Sequence, residues 1–175
     1  MWRFVSLVIL LWGGHFTDGW ALENLRFHGS LVAQPCVIEP GDEHIELDFG
    51  SVIDKYLYIN QRTHSQPFVI RLSKCNLALG KMVSLSFLGT ESVGAPGKLA
   101  LDATSQASGI AIGIEDREGK AILINQGNSS RYPLQSGVNR IILHAWVEAE
   151  QEALSTKSIV RGPFSAVVTF KLNYE

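Results

Sequence analysis

"GPFSAVVTFKLNYE", residues 162–175, is the longest alternating stretch of the chain and also its last. From Phe164 to Tyr174 an apolar side chain occupies every second position, and the positions between them are mostly polar. Because successive side chains of a β-strand point to opposite faces, this period of two predicts a strand with one apolar face. Only Glu175 follows, so we expect no later segment to pair with the outer side of this strand.

The same period of two recurs along the rest of the chain, in short runs separated by Gly, Asn, Asp and Pro. Such a pattern favours an all-β sandwich. We interpret residues 126–137 as a loop and residues 148–157 as a loop with one turn of helix. The other predicted strands cover residues 43–49, 67–72, 83–87, 110–114, 121–124 and 140–147.

Residues 1–21 have the pattern of a secretory signal peptide, with a positive charge at Arg3, an apolar run over 5–12 and a small residue at Ala21. The apolar run is shorter than the roughly 20 residues that span a bilayer, although an uncleaved membrane anchor remains the alternative. We place the mature start at Leu22, which leaves one domain long enough to bury a full core.

The cysteines and the charge narrow the function classes. Cys36 and Cys75 both follow the leader, and a lone pair in an oxidising compartment is expected to form a disulfide, with a metal pair or free thiols as alternatives. In the chain-entropy model, such a disulfide stabilises the folded state by roughly 4 kcal/mol at most. The net charge is −2 without a basic cluster, which argues against nucleic acid as a partner.

Motifs for catalysis or metal binding do not occur in the sequence. The histidines of the mature chain, His28, His44, His64 and His144, lack the spacing of a zinc site. Neither G-x-S-x-G nor H-E-x-x-H is present. We therefore predict no catalytic residue, no metal site and no cofactor.

A second amphipathic stretch, "ENLRFHGSLVAQPC" at residues 23–36, precedes the first cysteine. Leu25, Phe27, Gly29 and Leu31 share one parity and therefore one face of an extended chain. This strand either pairs inside its own domain or is given to another protein.

In this order and behind a leader, these stretches resemble subunits of chaperone–usher pili (fimbriae), most closely minor pilins of the P-pilus type. The further marks are "FVIRLSKC" at 68–75, "GIAIGIEDREG" at 109–119, a glycine fourteenth from the C-terminus at Gly162 and the penultimate Tyr174. The resemblance covers the mature chain. It implies an incomplete immunoglobulin-like β-sandwich that lacks its seventh strand and is completed by a strand from another protein, a known mode of strand addition.

The resemblance also implies a role for each part of the chain. Residues 1–21 are the signal peptide, 22–34 a donor-strand extension and 35–175 the pilin domain. The disulfide would tie the start of the first core strand to the end of the second. The donor-strand residues would be Leu25, Phe27, Gly29 and Leu31. The acceptor groove and chaperone-binding residues would be Gly162, Phe164, Val168, Phe170, Leu172, Tyr174 and Glu175, with the carboxylate of Glu175 as the anchor.

The expected partners are a periplasmic chaperone, an outer-membrane usher and neighbouring pilus subunits, on a route through the periplasm to a fimbrium at the cell surface. The expected function is that of a non-catalytic minor subunit, an adaptor or an initiator. The alternatives are a fibre-ending subunit, a single-domain adhesin, or a secreted sandwich that uses residues 25–31 to complete itself.

Overall fold

The computed structural model describes residues 28–127 and 130–175. The predicted signal peptide and the donor positions Leu25 and Phe27 lie outside the described residues. The chain divides after Val32, and Ala33–Glu175 forms one compact unit.

Two antiparallel sheets make up this unit, as the alternating pattern predicts. One sheet has the strand order β1-β2-β7-β4-β5 and the other the order β6-β3-β8. Among the described residues the elements are β1 (Val37–Ile38), α1 (Asp54–Asn60), β2 (Gln66–Cys75), β3 (Met82–Gly89), β4 (Ile110–Asp116), β5 (Ala121–Ile122), β6 (Ser130–Pro133), β7 (Gly137–Ala149), α2 (Gln151–Thr156) and β8 (Val168–Tyr174).

The core lies between the sheets and is built from the inward-facing parity of each strand. Leu72 of β2, Leu85 of β3 and Leu143 of β7 have no exposed surface. Burying a side chain of this size contributes roughly 1.5–3 kcal/mol. The pairing β2–β7–β4 places β7 between two partners, and its register runs without a break from Ile110↔Ala149 to Asp116↔Leu143 on the β4 side.

The disulfide is present between Cys36, immediately before β1, and Cys75, the last residue of β2. Both residues are buried, with exposed fractions of 1% and 4%. The bond links two neighbouring strands of the larger sheet, as the resemblance implied, and neither a metal pair nor a free thiol describes these cysteines.

Three segments differ from the sequence-based expectation. The predicted strand at 43–49 belongs to neither sheet: it begins in a turn at residue 43, and residues 45–49 form no regular secondary structure. The predicted loop at 126–137 contains β6, which pairs with the first half of β3 from Met82↔Pro133 to Leu85↔Ser130. The sequence also gave no sign of α1, which is held by one fully buried side chain, Leu57. Tertiary contacts decide all three segments, and local propensity cannot reveal them.

A close approach explains why small residues alternate with isoleucines in β4. A Cβ at Gly113 would overlap the indole ring of its cross-strand partner Trp146. Trp146 is 4% exposed and carries the guanidinium of Arg62 over its ring at 4.7 Å, so it is a packing residue. The predicted helical turn within 148–157 is also confirmed, as α2.

Candidate functional site: two unpaired edges over one core

The strand β8 has a backbone partner on one side only. It pairs with β3 over seven positions, from Val83↔Tyr174 to Gly89↔Val168. In the sheet order β6-β3-β8 it is the outer strand, and among the described residues no strand pairs with its other side. The prediction that the last strand has an open outer edge therefore agrees with the described part of the structure.

The hydrogen-bond pattern identifies which backbone groups face this open edge. Glu175 and Met82 exchange both of their main-chain hydrogen bonds, at 3.0 and 3.1 Å. In an antiparallel ladder such pairs alternate with pairs whose N–H and C=O groups point away from the partner. The residues whose backbone groups face outward are therefore Val168, Phe170, Leu172 and Tyr174.

The side chains of the same residues point to the core but remain half-buried. Phe170 and Leu172 lie opposite Phe87 and Leu85 of β3, which are 2% and 0% exposed. Thus one strand of the pair is fully covered and the other is not. We call residues 164–174 the C-terminal edge; its half-buried apolar residues are Phe164, Ala166, Val168, Phe170, Leu172 and Tyr174.

A second unpaired edge lies over the same core. Ile45, Leu47 and Phe49 alternate with exposed residues, are half-buried and pack against the core cluster that also receives β8. Residues 44–49 exchange no main-chain hydrogen bond with any other described residue. We call residues 45–49 the N-terminal edge. The alternation predicted an extended segment here, but the sequence did not show that it belongs to the site.

The two edges meet at one end. The rings of Phe49 and Phe164 lie 6.4 Å apart between centroids. Just beyond them, the guanidinium of Arg161 donates to the carboxylate of Asp54 at 2.6 and 2.9 Å. This pairing lowers the pKa of Asp54, because the hydrogen bond from Arg161 stabilises the charged carboxylate.

Gly162 lies at the start of the C-terminal edge, where the backbone passes close to a neighbouring loop. A Cβ at this position would lie 2.7 Å from the Cβ of Gln106. The loop is held there because the N–H groups of Gln106 and Ala107 donate to the carbonyl of Pro163, at 2.9 and 3.3 Å. Only glycine fits this approach without displacing the loop.

The last residue is anchored on β3. The main-chain oxygen of Glu175 accepts hydrogen bonds from the N–H groups of Lys81 at 2.8 Å and Met82 at 3.1 Å. Its side-chain carboxylate lies 3.5 Å from the guanidinium of Arg131 in β6, with half of the side chain exposed. The neighbouring Tyr174 is half-buried, and this burial raises the pKa of its phenol.

The described part of the proposed donor extension is exposed. Gly29 is exposed, and the side chains of Leu31 and Val32 are 105% and 72% exposed. Within residues 28–127 and 130–175, the side chains of His, Cys, Asp and Glu form no group of three suited to a metal ion. No helix in this part of the chain is long and apolar enough to cross a membrane.

A sandwich with two edges that lack a partner among the described residues can be compared with known proteins. A family model described as fimbrial protein matches residues 25–175. The chain belongs to the fimbrial protein family. The resemblance to pilus subunits is thereby confirmed, as is the expected immunoglobulin-like pilin fold.

The relatives of this fimbrial subunit include both named and uncharacterised proteins. The fimbrial adapter PapK of Escherichia coli is 33% identical over 160 residues, which cover 86% of this chain and 87% of PapK. The uncharacterised fimbrial-like protein YfcP of E. coli K12 is 31% identical over 152 residues, covering 86% and 83%. The predicted role of a minor pilus subunit is confirmed by these relationships.

Solved structures agree in fold. The P pilus rod subunit PapA superposes with a TM-score of 0.71 at 23% identity, covering 81% of this chain and 100% of that one. A subunit from a chaperone–usher pilus gives a TM-score of 0.68 at 24% identity, covering 91% and 99%. Proteins of this family are structural subunits that associate with other pilus subunits at the cell surface.

Proposed function

We propose that this fimbrial subunit is an adaptor or initiator that joins two neighbours by strand addition. It accepts a strand along the C-terminal and N-terminal edges, and it donates its own residues 22–34. The observation that supports acceptance is the pair of edges without a strand partner in the described part of the chain, each presenting half-buried apolar side chains over one core. The exposure of Gly29 and Leu31 supports donation.

The open edges define what a donor strand must provide. It must pair with backbone groups that face outward at every second residue of β8, and it must supply apolar side chains with the same period. Each such side chain contributes roughly 1.5–3 kcal/mol before the cost of ordering the donor. Leu25, Phe27 and Leu31 meet this requirement for a neighbouring subunit, and Gly29 provides for a close backbone approach.

We further propose that a periplasmic chaperone occupies the site before assembly and that an outer-membrane usher exchanges it for a neighbour's extension. The carboxylate of Glu175 anchors the chaperone, because this residue directly follows β8 and is exposed. The subunit acts by binding alone and catalyses no reaction.

The acceptor role is tested by co-expressing the mature chain with the periplasmic chaperone of its assembly system and measuring the purified complex. Leu172→Asp places a charge on the inner face of β8, so we expect the amount of purified complex to fall at least tenfold. Lys171→Asp is the matched control, because Lys171 is exposed on the opposite face of the same strand. Equal loss for both variants contradicts an acceptor site on the inner face.

The donor role is tested separately, by incorporation of the chaperone-bound chain into fibres. Phe27→Asp is expected to leave chaperone capture unchanged and to abolish incorporation after a neighbour, whereas Arg26→Asp on the opposite parity is expected to be incorporated. Incorporation of the Phe27→Asp chain overturns the donor role. A chain that is incorporated but accepts no further subunit would instead be a fibre-ending subunit.

A further inference from the structure

The chain leaves the larger sheet at a single turn between β1 and the N-terminal edge. After Ile38, the N–H of Glu39 still donates to the carbonyl of Arg71 in β2 at 2.9 Å, as in a continuing strand. The carbonyl of Glu39 does not complete this pair, because it accepts the N–H of Asp42 at 2.9 Å and closes a turn. Gly41 permits the turn with a φ of +97°.

The carboxylate of Asp42 then takes the place of the missing carbonyl. The N–H of Arg71, which a continuing β1 would satisfy through Glu39, donates instead to Oδ2 of Asp42 at 2.8 Å. The side chain of Asp42 is 6% exposed and that of Arg71 is half exposed, so this contact is partly buried at the rim of the sheet. A strand that is interrupted leaves the backbone donors of its neighbour without acceptors, and the carboxylate of Asp42 supplies the missing acceptor for the N–H of Arg71.

The same carboxylate also binds the side chain of Arg71. The guanidinium donates through Nε to Oδ2 at 2.9 Å and through Nη2 to Oδ1, which is a two-pronged ion pair. Arg71 lies directly opposite Arg140 in β7, and two cations in such a cross-strand pair repel each other. Asp42 therefore neutralises one charge of a like-charged pair and fixes the turn to β2 by both main chain and side chain.

This fixation determines where the N-terminal edge begins. Only two residues separate Asp42 from Ile45, the first half-buried residue of that edge. A shift of one residue in this segment would turn Ile45, Leu47 and Phe49 away from the core, because their period is two. A donor strand would lie between the N-terminal edge and β8. The position of β8 does not depend on Asp42, because β8 pairs with β3.

We propose that Asp42 and Arg71 form a positioning pair that sets the register and place of the N-terminal edge and thereby controls strand acceptance. This inference rests on the proposed acceptor function. The pair does not touch the donor; it acts through residues 43–49. Loss of the pair should therefore weaken the pairing between the donor strand and the N-terminal edge. The five-stranded sheet should remain intact.

The experiment uses the mature chain in complex with its co-expressed chaperone and follows amide hydrogen exchange. Asp42→Asn keeps one oxygen for the N–H of Arg71 and removes the ion pair, whereas Asp42→Ala removes both. We expect exchange of the amides at 45–49 to accelerate about tenfold in Asp42→Asn and further in Asp42→Ala. Amides of β2, β7 and the C-terminal edge should keep their wild-type exchange rates.

Glu148→Gln is the matched control. Glu148 forms an ion pair with Lys98 at 3.2 Å on the outer face of the same sheet and also accepts the indole N–H of Trp146. The glutamine removes the same charge and keeps one acceptor. Exchange at 45–49 should be unchanged in this variant.

Three outcomes separate the possibilities. If the wild-type chain does not bind the chaperone, the proposed acceptor function fails. If it binds and Asp42→Asn leaves exchange at 45–49 unchanged, the positioning pair is wrong while the acceptor function stands. If exchange rises equally in β2, β7 and 45–49, the pair only stabilises the fold, which also overturns the inference.

Discussion

The strands β7 and β8 both alternate apolar and polar residues, yet their inward faces are buried to different extents. In β7, Ile141, Leu143 and Ala145 are 0–4% exposed, whereas the inward residues of β8 are all half-buried. The difference lies in their neighbours. β7 has a strand on both sides, and β8 has one on a single side among the described residues. An alternating sequence therefore sets the face of a strand, and the number of partners sets how far that face is covered.

The largest effect is expected in the fully paired strand. Leu143→Ala should lower the free energy of unfolding of the mature chain by about 2–5 kcal/mol, because it leaves a cavity where no surface is exposed. Urea unfolding measures this loss, and it should be the same with or without a bound donor peptide that carries the N-terminal extension of a neighbouring subunit. Val138→Ala, at a 63% exposed position of the same strand, should change the free energy by less than about 0.5 kcal/mol.

The half-covered strand should behave differently. Leu172→Ala should lower the free energy of unfolding of the free mature chain by about 1–2 kcal/mol, because the side chain is only partly removed from water. With the donor peptide bound, the loss should approach that of Leu143→Ala, because the donor completes the burial. The measurement is urea unfolding in both states, with Lys171→Ala as control. If the stability loss of Leu172→Ala is the same with and without the donor, the donor does not complete the burial of β8, and the proposed difference between β7 and β8 is wrong.

Acid should act on the ion pairs that flank the N-terminal edge. Hydrogen bonds from Arg71 and Arg161 lower the pKa values of Asp42 and Asp54 below their ordinary value, which is about 3.9. Carboxylates whose pKa is lower in the folded state stabilise it above their unfolded pKa, and this stabilisation is lost as the pH falls through the folded pKa. As the pH is lowered below about 4, the free energy of unfolding should therefore fall less in the Asp42→Asn/Asp54→Asn chain than in wild type. Parallel urea midpoints for the two chains over this range would contradict the assignment.

The smallest expected effect is on the phenol at the end of β8. Burial raises the pKa of Tyr174, and a bound donor should raise it further by removing more water. Ultraviolet titration of the free and donor-bound chain measures the change, in a Tyr132→Phe background because burial also raises the pKa of Tyr132. Stability from a raised phenol pKa is present at neutral pH and declines as the pH rises through the folded pKa. An unchanged pKa on binding would mean that the donor does not cover this end.

Much of the fold was predictable because its strands obey a local rule. The strands β2, β3, β4 and β7 were predicted from a period of two. β6 was missed because its residues, Ser130–Pro133, resemble a loop and become a strand only through pairing with β3. α1 was missed because its single buried anchor, Leu57, gives no helical period.

The candidate site was predicted on one side only. Phe164, Val168, Phe170, Leu172 and Tyr174 share a face of the last alternating run, and the structure places all of them over the core. The N-terminal edge was read as an ordinary strand, because alternation at Ile45, Leu47 and Phe49 does not reveal that backbone partners are missing. The roles of the donor and groove residues remain predictions, which the experiments above address.

By itself the sequence determined which side chains face inward, because the period of a strand is two whatever surrounds it, and the order of its motifs determined the family. The tertiary structure alone decided which strands have partners on both sides. Backbone pairing depends on segments far apart in the chain, such as Glu39 with Arg71 or Met82 with Glu175, and no local pattern encodes that separation. For the same reason, only the fold shows that two edges over one core have no partner within residues 28–127 and 130–175.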